Sequence, residues 1–532
     1  MKTKNALFAL LVIVLPTAIT AQELPPIQKV ELQGRTFMVN GKPFFPIMAW
    51  LQAATNFPLL KECGMNSTAG YWAGSGQKKD VTGFLNQIGK AGLYGVVPFD
   101  EGAKGHRALL GYIHDDEPDL SHPVSDAVVE PGKTLQLNPK TPLWKIVDGD
   151  LNSWSVLDPL EGASFTIRLQ KPVTIEALGV ALTVSKGLSL PKEMAFEANG
   201  QQLLKAALTE KKGLQKFSLP QAATFQELTV KVLGVTPGEQ VYGSLGEIEG
   251  LDKEGKNVLL APPRQVPRAM PDETLRKYAA IKAADPARPV FMTLTGRFHP
   301  IFKNWPEQER LRLYPEYVKA ADVVGYDIYP IYGWNKPEWL YLVHEATEQL
   351  VSMAEPRPVY AWIETSKGGQ WTGALESQKE VTPEHIRAEV WMCICRGATA
   401  MGYFTHIWKP QYSQFGVPEN NRRALREINH QITKLAPAIL GQPFPQAVSV
   451  KASGNTMLDI MARRLGQDLY LFAVNYDQGA RPTKAAISVP GLAAGTKIEV
   501  VDEARSLQAD PGSFVDEFAP LAIHIYRLTA SN

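Results

Sequence analysis

Hydrophobic and polar positions follow two different patterns along this chain. Between 44 and 117, and again between 271 and 408, short apolar runs that favour strands alternate with amphipathic stretches that favour helices. Strands that alternate with helices are typical of a parallel sheet. The eight predicted strands are 44–50, 65–71, 93–100, 110–117, 290–295, 323–330, 358–364 and 401–408. The sequence therefore predicts an α/β fold, a (β/α)8 TIM barrel.

Two other regions lack the helical period. From 124 to 262 and from 437 to 532 the chain shows short alternating strands separated by Gly, Pro and Asn. This pattern predicts β-sandwiches. The first would be inserted into the barrel, which is then formed by 22–123 and 263–436, and the second would be a C-terminal domain.

The first 21 residues have the pattern of a targeting segment. Lys2 and Lys4 precede an apolar run over 6–15, and small residues lead up to Ala21. This predicts a signal peptide spanning 1–21. The apolar run is shorter than the ~20 residues needed to span a bilayer. We therefore expect a periplasmic or secreted protein without membrane insertion after cleavage.

Composition narrows the choice of partner. The chain has 532 residues, 45% hydrophobic and 20% charged, and a formal net charge of +1 without a long basic block. It therefore lacks the electrostatic footprint of a nucleic-acid-binding protein. A neutral carbohydrate is a more suitable partner than a nucleic acid for a chain with this charge. The three cysteines, Cys63, Cys393 and Cys395, cannot form a disulfide framework and are expected to be core residues.

Acidic residues end two of the predicted barrel strands. The fourth strand ends in Asp116 and Glu117, and the seventh ends in Glu364. The carboxyl ends of barrel strands form the mouth of the pocket. Two carboxylates ~5 Å apart hydrolyse a glycosidic bond by double displacement, with retention of configuration. The sequence predicts this mechanism with Glu117 as acid/base and Glu364 as nucleophile, and with neither a cofactor nor a metal.

This arrangement resembles the retaining (β/α)8-barrel glycoside hydrolases of the clan that includes β-galactosidases and many β-glycanases. The resemblance implies an acid/base glutamate before a proline at the end of strand four, which Glu117 and Pro118 match. Asp116 stands where that clan usually has an asparagine that binds the sugar 2-hydroxyl. The resemblance also implies a tyrosine after strand six and an aromatic platform after strand eight, which Tyr329 and Trp408 match.

Other side chains at predicted strand ends are candidates for binding the substrate. Together with Asp116, Tyr329 and Trp408 they are Trp50, Asp327, Trp362 and His406, and Trp371 belongs to the same group of aromatic candidates. Each aromatic ring could equally pack in the core, because Trp and Tyr are often largely buried.

The predicted insert carries a motif of its own. Residues 146–154 read IVDGDLNSW, and a strand-like run follows over 165–175. This combination resembles the discoidin, or F5/8 type C, family, whose members are often carbohydrate-binding modules. The resemblance implies a β-sandwich that either binds carbohydrate or acts as a structural spacer.

Two other functions remain open at this point. The His and Asp side chains over 114–119 could hold a metal ion, although they lack the spacing of a known metal-binding loop. The chain could also be a non-catalytic carbohydrate-binding protein on a hydrolase-derived barrel, because Asp116 replaces the asparagine that is usual in the clan. The presence of both glutamates favours the enzyme.

Overall fold

The computed structural model describes residues 24–72, 74, 78–184, 187–452, 457–477, 479 and 482–529. The predicted signal peptide lies outside the described residues. The chain divides into two compact units, of which the first is formed by Met1–Leu120 and Arg268–Asn532 and the second by Ser121–Pro267.

Eight parallel strands close into a barrel in the first unit. They are β1 (Ile47–Trp50), β2 (Ser67–Ala69), β3 (Tyr94–Val97), β4 (Leu109–Asp116), β5 (Val290–Thr295), β6 (Val323–Asp327), β7 (Val359–Glu364) and β8 (Ala400–Phe404). Each strand pairs with its neighbours in chain order, and β8 pairs with β1. The predicted barrel fold is confirmed.

Seven α-helices lie between and after the barrel strands in the described part of the chain. They are α1 (Phe57–Glu62), α2 (Val81–Lys90), α3 (Pro271–Ala284), α4 (Glu307–Tyr317), α5 (Tyr341–Ala354), α6 (Pro383–Cys395) and α7 (Glu419–Ile439). The short connection 98–108 between β3 and β4 carries only a 3-10 turn, Glu101–Ala103. Asp100 caps this turn by accepting a hydrogen bond from the N–H of Gly102 at 3.0 Å.

Large side chains fill the barrel interior. Tyr360 and Trp362 of β7 point inward and are buried. Glycines on the neighbouring strands make room for them: a Cβ at Gly325 would lie 2.0 Å from the Tyr360 ring, and a Cβ at Gly402 would lie 2.2 Å from the Trp362 ring. These two glycines therefore allow β7 to carry the largest rings of the interior.

Additional sheets in the first unit cover the barrel. An N-terminal antiparallel sheet is formed by Val30–Gln33, Thr36–Val39 and Lys42–Phe44. After α7, a six-stranded sheet contains Gln442–Pro443, Leu458–Leu465, Asp468–Asn475, Ile523–Thr529, Lys497–Val500 and Arg505–Gln508, and a three-stranded sheet contains Ser449–Ala452, Thr483–Ser488 and Ser513–Phe518. These C-terminal sheets share an apolar core. Trp391 of α6 stacks on Phe472 of the larger sheet at 5.7 Å between ring centroids.

The second unit is built from antiparallel sheets around its own apolar core. The largest contains Gln201–Ala207, Leu190–Ala198, Gly213–Thr236, Ser164–Leu182 and Ile248–Leu251, with Val128–Pro131 also paired to Ser164–Leu182. A smaller sheet contains Gln136–Leu137, Ser155–Asp158 and Gly243–Leu245. Ser121–Val124 pairs with Arg264–Pro267, so the entering and leaving segments of this unit are joined.

None of the helices in the described part of the chain combines the length and the apolar character needed to cross a membrane. All three cysteines are free and buried.

Candidate active site

A cavity of about 760 Å³ opens at the carboxyl ends of the barrel strands. Its lining comes from the ends of β1, β4, β5, β6, β7 and β8 and from the loops that follow. The lining residues are Trp50, Asp116, Glu117, Leu120, Thr293, Thr295, Gly296, Arg297, Phe302, Asn304, Asp327, Tyr329, Tyr332, Gly333, Trp334, Trp362, Gly369, Gln370, Trp371, Thr372, Phe404 and Trp408.

Two successive carboxylates, those of Asp116 and Glu117, reach this cavity. Successive side chains of a strand normally point to opposite faces. Glu117 has a φ of 51°, which is uncommon for a residue with a side chain, and its N–H donates to the carbonyl oxygen of Thr293 at 2.9 Å. This left-handed conformation ends the alternation of β4, so that both carboxylates line the same cavity.

The third carboxyl group of the cavity belongs to Asp327, the last residue of β6. Its carboxyl group lies close enough to that of Glu117 to share a hydrogen bond when one of the two is protonated. Burial, together with the neighbouring charge and hydrogen bond of Glu117, raises the pKa of Asp327 well above its ordinary value. Asp327 is therefore the member of the pair that holds the proton, and it can donate a hydrogen bond to Glu117.

Asp116 is open to the water of the cavity, yet protein surrounds its carboxyl group on most sides. The loss of solvation and the charge of Glu117 raise the pKa of Asp116. Arg268 partly offsets the negative charge of these two acids. Its Nη1 donates to the backbone oxygen of Asp116 at 2.8 Å, and its Nη2 lies 3.7 Å from Oε2 of Glu117. The guanidinium is about half exposed, so it neutralises the acids only in part.

The other acids near the end of β4 point away from the cavity. Asp115 lies 3.1 Å from Nζ of Lys277. Asp119 is fully buried and accepts hydrogen bonds from the N–H of Thr295 at 2.9 Å and the hydroxyl of Tyr314 at 2.7 Å. Burial outweighs these hydrogen bonds and raises the pKa of Asp119 to about 6. Within the described ranges no group of three His, Cys, Asp or Glu side chains is arranged to hold a metal ion.

The structure does not place Glu364 among the residues that line the cavity. Its carboxylate is fully buried and accepts hydrogen bonds from the N–H groups of Ile331 at 2.9 Å and Tyr332 at 2.5 Å. Its pKa is raised to about 7 because burial outweighs these hydrogen bonds. Glu364 therefore fixes the loop after β6 in this conformation, and its role as nucleophile stays a prediction.

Glu389 of α6, which the sequence analysis missed, lies against Glu364. The two carboxyl groups lie close enough to share a proton, no donor group of the described residues reaches either carboxyl oxygen of Glu389, and burial followed by the charge of Glu364 raises the pKa of Glu389 well above its ordinary value. Glu389 is therefore the protonated partner and can donate to Glu364. A glutamate within an otherwise apolar stretch of a helix, 388–395, was the available sequence signal.

Aromatic rings form the walls of the cavity. Tyr329 lies 5.0 Å from Phe404, which stacks with Trp408 at 6.1 Å between ring centroids. Trp50 packs edge to face against Trp362 at 5.3 Å between ring centroids. The predicted substrate-binding residues that line the cavity are Trp50, Asp116, Asp327, Tyr329, Trp362 and Trp408.

His406 is the predicted binding residue that does not line the cavity. It is buried, and burial lowers the pKa of its imidazole, so the ring is neutral. Its Nε2–H donates to the carbonyl oxygens of Trp50 at 3.1 Å and Leu51 at 3.2 Å. Leu51 has a φ of 46°, so His406 stabilises a strained turn that positions Trp50.

Much of the outer lining comes from loops and was not predicted. Thr293, inside the barrel, was also missed; its Oγ1 accepts from Nε1 of Trp362 at 3.1 Å and shares a hydrogen bond of 2.8 Å with the hydroxyl of Tyr360. The other missed lining residues include Arg297, Phe302, Asn304, Tyr332, Trp334 and Gln370. Loop residues carry no periodic signal, so a single sequence does not reveal which of them reach a pocket.

No protein-family model matches this sequence. The search of curated proteins gives no match either.

Several solved structures are similar over parts of the chain. The family 32 carbohydrate-binding module of Clostridium perfringens NanJ, in complex with galactose, is 12% identical over 24% of this chain and 97% of that chain, with a TM-score of 0.21. A module of the same family from a Clostridium perfringens family 31 glycoside hydrolase is 17% identical over 23% of this chain and 92% of that chain, with a TM-score of 0.20.

An alpha-amylase from Geobacillus thermoleovorans, complexed with acarbose, is 10% identical over 50% of this chain and 58% of that chain, with a TM-score of 0.36. At these scores the similarities establish no family. Function is therefore argued from the site itself.

Proposed function

We propose that this chain is a glycoside hydrolase that acts on a neutral oligosaccharide or polysaccharide. The observation that supports this most is the meeting of three carboxyl groups, those of Asp116, Glu117 and Asp327, in one aromatic-walled cavity. Aromatic rings provide apolar surface for the C–H faces of a sugar, and carboxyl groups supply the acid and base that glycoside hydrolysis needs. Asp116 and Glu117, the two acids that do not hold the shared proton, disfavour a negatively charged sugar.

Glu117 is the proposed acid/base, as expected from the sequence. It shares a hydrogen-bonded proton with Asp327, so the pair brings a proton into the cavity. In the first step Asp327 passes its proton to Glu117, and Glu117 protonates the glycosidic oxygen while the bond from that oxygen to the anomeric carbon breaks. The alcohol leaves as the nucleophilic carboxylate bonds to the anomeric carbon. Water then attacks this carbon, the carboxylate leaves, and the ionised Glu117 accepts a proton from the water.

The nucleophile of a retaining mechanism is a second carboxylate that bonds to the anomeric carbon. The sequence assigns this role to Glu364, which would first have to release the N–H groups of Ile331 and Tyr332. Asp116 is the alternative, since it already lines the cavity. The proposal keeps Glu364 as the assigned nucleophile and Asp116 as its competitor.

The test is hydrolysis of a panel of neutral aryl α- and β-glycosides by the wild type and by variants with alanine at 116, 117 and 364. The proposal expects one sugar to be cleaved with retention and activity to fall at least 10²-fold in Glu117→Ala. Added azide should restore turnover in the variant that lacks the nucleophile, with an azide product of inverted configuration. Rescue of Glu364→Ala supports the sequence assignment, and rescue of Asp116→Ala supports its competitor.

One observation favours a second function, carbohydrate binding without catalysis. Glu117 interacts with Asp327 rather than with its predicted partner Glu364, which is buried and does not line the cavity. A binding protein would cleave no glycoside in the panel. It would bind an oligosaccharide with similar affinity in the wild type and in Glu117→Gln.

A further inference from the structure

The cavity continues past its rim into a second concavity of about 350 Å³. The residues that line both are Gly333, Trp334, Trp371 and Thr372, and the second concavity adds Asn335, Lys336 and Trp339. Its volume falls in the range of small-molecule sites, ~300–1,000 Å³. A ligand in the cavity can therefore extend into the second concavity without leaving the protein surface.

Trp371 presents an unusually open ring at the border of the two spaces. It is 86% exposed, the highest exposure among the large hydrophobic side chains of the described chain. Contiguous exposed apolar surface commonly marks a binding site, and Trp371 lines the second concavity together with Trp334. The loop that carries Trp371 is held firmly, so its exposure is a fixed feature of the structure.

The buried side chain of Gln378 holds this loop. Its Oε1 accepts hydrogen bonds from the N–H groups of Gly368 at 2.8 Å and Gly369 at 3.0 Å, and its Nε2 donates to the carbonyl oxygen of Gly373 at 3.0 Å. Thr372, next to Trp371, donates from Oγ1 to the carbonyl oxygen of Tyr332 at 2.6 Å. These bonds attach the loop after β7 to the loop after β6 and fix the place of Trp371.

Trp334 supplies the second open ring. It is 38% exposed and packs against Phe302 at 5.2 Å and Trp339 at 6.0 Å between ring centroids. The ammonium group of Lys336 lies 3.7 Å from the ring centroid of Trp339 and covers that ring. The rings left open to a ligand in the second concavity are therefore those of Trp334 and Trp371.

We infer that Trp334 and Trp371 form a second sugar-binding subsite beside the catalytic cavity. The occupant is a neutral sugar ring that is covalently linked to the sugar bound in the cavity and stacks its C–H face on these indoles. The inference rests on the proposed function and deepens it: the substrate class is an oligosaccharide of at least two sugars. Binding energy gained in this subsite would assist bond cleavage in the cavity.

The kinetic test compares aryl glycosides of increasing length, made from the sugar that the wild type cleaves. For Trp371→Ala, kcat/KM on the aryl trisaccharide should fall roughly tenfold more than on the aryl monosaccharide, consistent with the loss of one aromatic contact. Trp334→Ala should show the same bias. Val515→Ala, at an exposed apolar residue of the C-terminal three-stranded sheet, is the control and should leave both values unchanged. Equal losses on both substrates in the two test variants would overturn the subsite.

A binding test separates this inference from the proposed function. Isothermal titration of Glu117→Gln with cellotetraose, xylotetraose, mannotetraose and chitotetraose, and with the matching monosaccharides, needs no turnover. The subsite predicts that one tetrasaccharide binds more tightly than its monosaccharide and that adding Trp371→Ala removes this difference. If that result is obtained while the wild type cleaves no glycoside, the proposed hydrolase activity is wrong and the proposed subsite is confirmed. Absence of tetrasaccharide binding, or equal affinity with and without Trp371, contradicts the subsite.

Discussion

The carboxyl groups of Glu117 and Asp327 lie close enough to share a proton, although they leave the barrel from β4 and β6, with β5 between them. The left-handed backbone of Glu117 makes this contact possible because it turns the side chain into the cavity. The raised pKa of Asp327 places the proton of the pair on the aspartic acid. A proton is therefore held beside the residue that the proposed mechanism uses as acid and base.

Asp327→Asn tests whether this shared proton is used. An asparagine can still donate a hydrogen bond to Glu117, so the folded structure and the thermal unfolding midpoint should be close to those of the wild type. It cannot release the proton, so kcat should fall by roughly 10²–10⁴-fold. Because the wild-type pair loses its proton as the pH rises, the alkaline limb of the kcat/KM profile should also change position. An unchanged rate and pH profile would show that Asp327 has no part in proton transfer.

The Glu364 and Glu389 pair predicts a pH dependence of stability. The pKa of Glu364 is raised from 4.5 to about 7, so the folded protein binds this proton more tightly than the unfolded chain. The stabilisation is complete below about pH 4.5 and is lost as the pH rises towards 7. Urea unfolding at pH 5 and pH 8 should therefore give a lower free energy of unfolding at pH 8.

Glu389→Gln should reduce that pH dependence, since its amide can donate to an ionised Glu364 without adding a second carboxyl group. Glu389→Ala should be less stable than Glu389→Gln by about 1–3 kcal/mol, because it removes the donor and leaves a buried carboxylate less satisfied. Glu376→Gln, at an exposed position, is the control and should leave the pH dependence unchanged. Equal slopes in Glu389→Gln and the wild type would contradict the proton assignment of this pair.

Gly402→Ala tests the packing that positions Trp362. The added Cβ would lie 2.2 Å from the indole, so the ring must shift. Overpacking of this kind costs about 1–3 kcal/mol of unfolding free energy, and activity should fall because Trp362 lines the cavity. At Gly234, in the other unit, the nearest side chain to an added Cβ is 3.7 Å away, and Gly234→Ala should affect neither quantity strongly. Wild-type stability and activity in Gly402→Ala would show that the barrel interior adapts freely.

Periodicity predicted the barrel because buried parallel strands and amphipathic helices leave strong local patterns. It also located Asp116, Glu117 and Asp327, since strand ends are where such patterns stop. The helix between β3 and β4 is replaced by a 3-10 turn, because the connection 98–108 is short and contains Gly102 and Gly105.

The surroundings of Glu364 could not be predicted in the same way. The direction of a side chain at a strand end depends on neighbours distant in sequence, here the amides of Ile331 and Tyr332 and the carboxyl group of Glu389. His406 was predicted to bind substrate for the same reason, its place at a strand end. Its imidazole contacts two backbone carbonyl groups, and its binding role stays a prediction. Strand position thus located the site, whereas long-range hydrogen bonds decide which side chains enter it.

The most direct test of the central claim, that Glu117 protonates a glycosidic oxygen, is the leaving-group dependence of Glu117→Ala. Aryl glycosides of the cleaved sugar with 2,4-dinitrophenol and with phenol as leaving groups differ in their need for a proton. The account predicts that the rate of bond cleavage by Glu117→Ala falls at least 10²-fold for the phenyl glycoside and far less for the dinitrophenyl glycoside. Equal losses on both substrates, or full activity on the phenyl glycoside, would contradict the account.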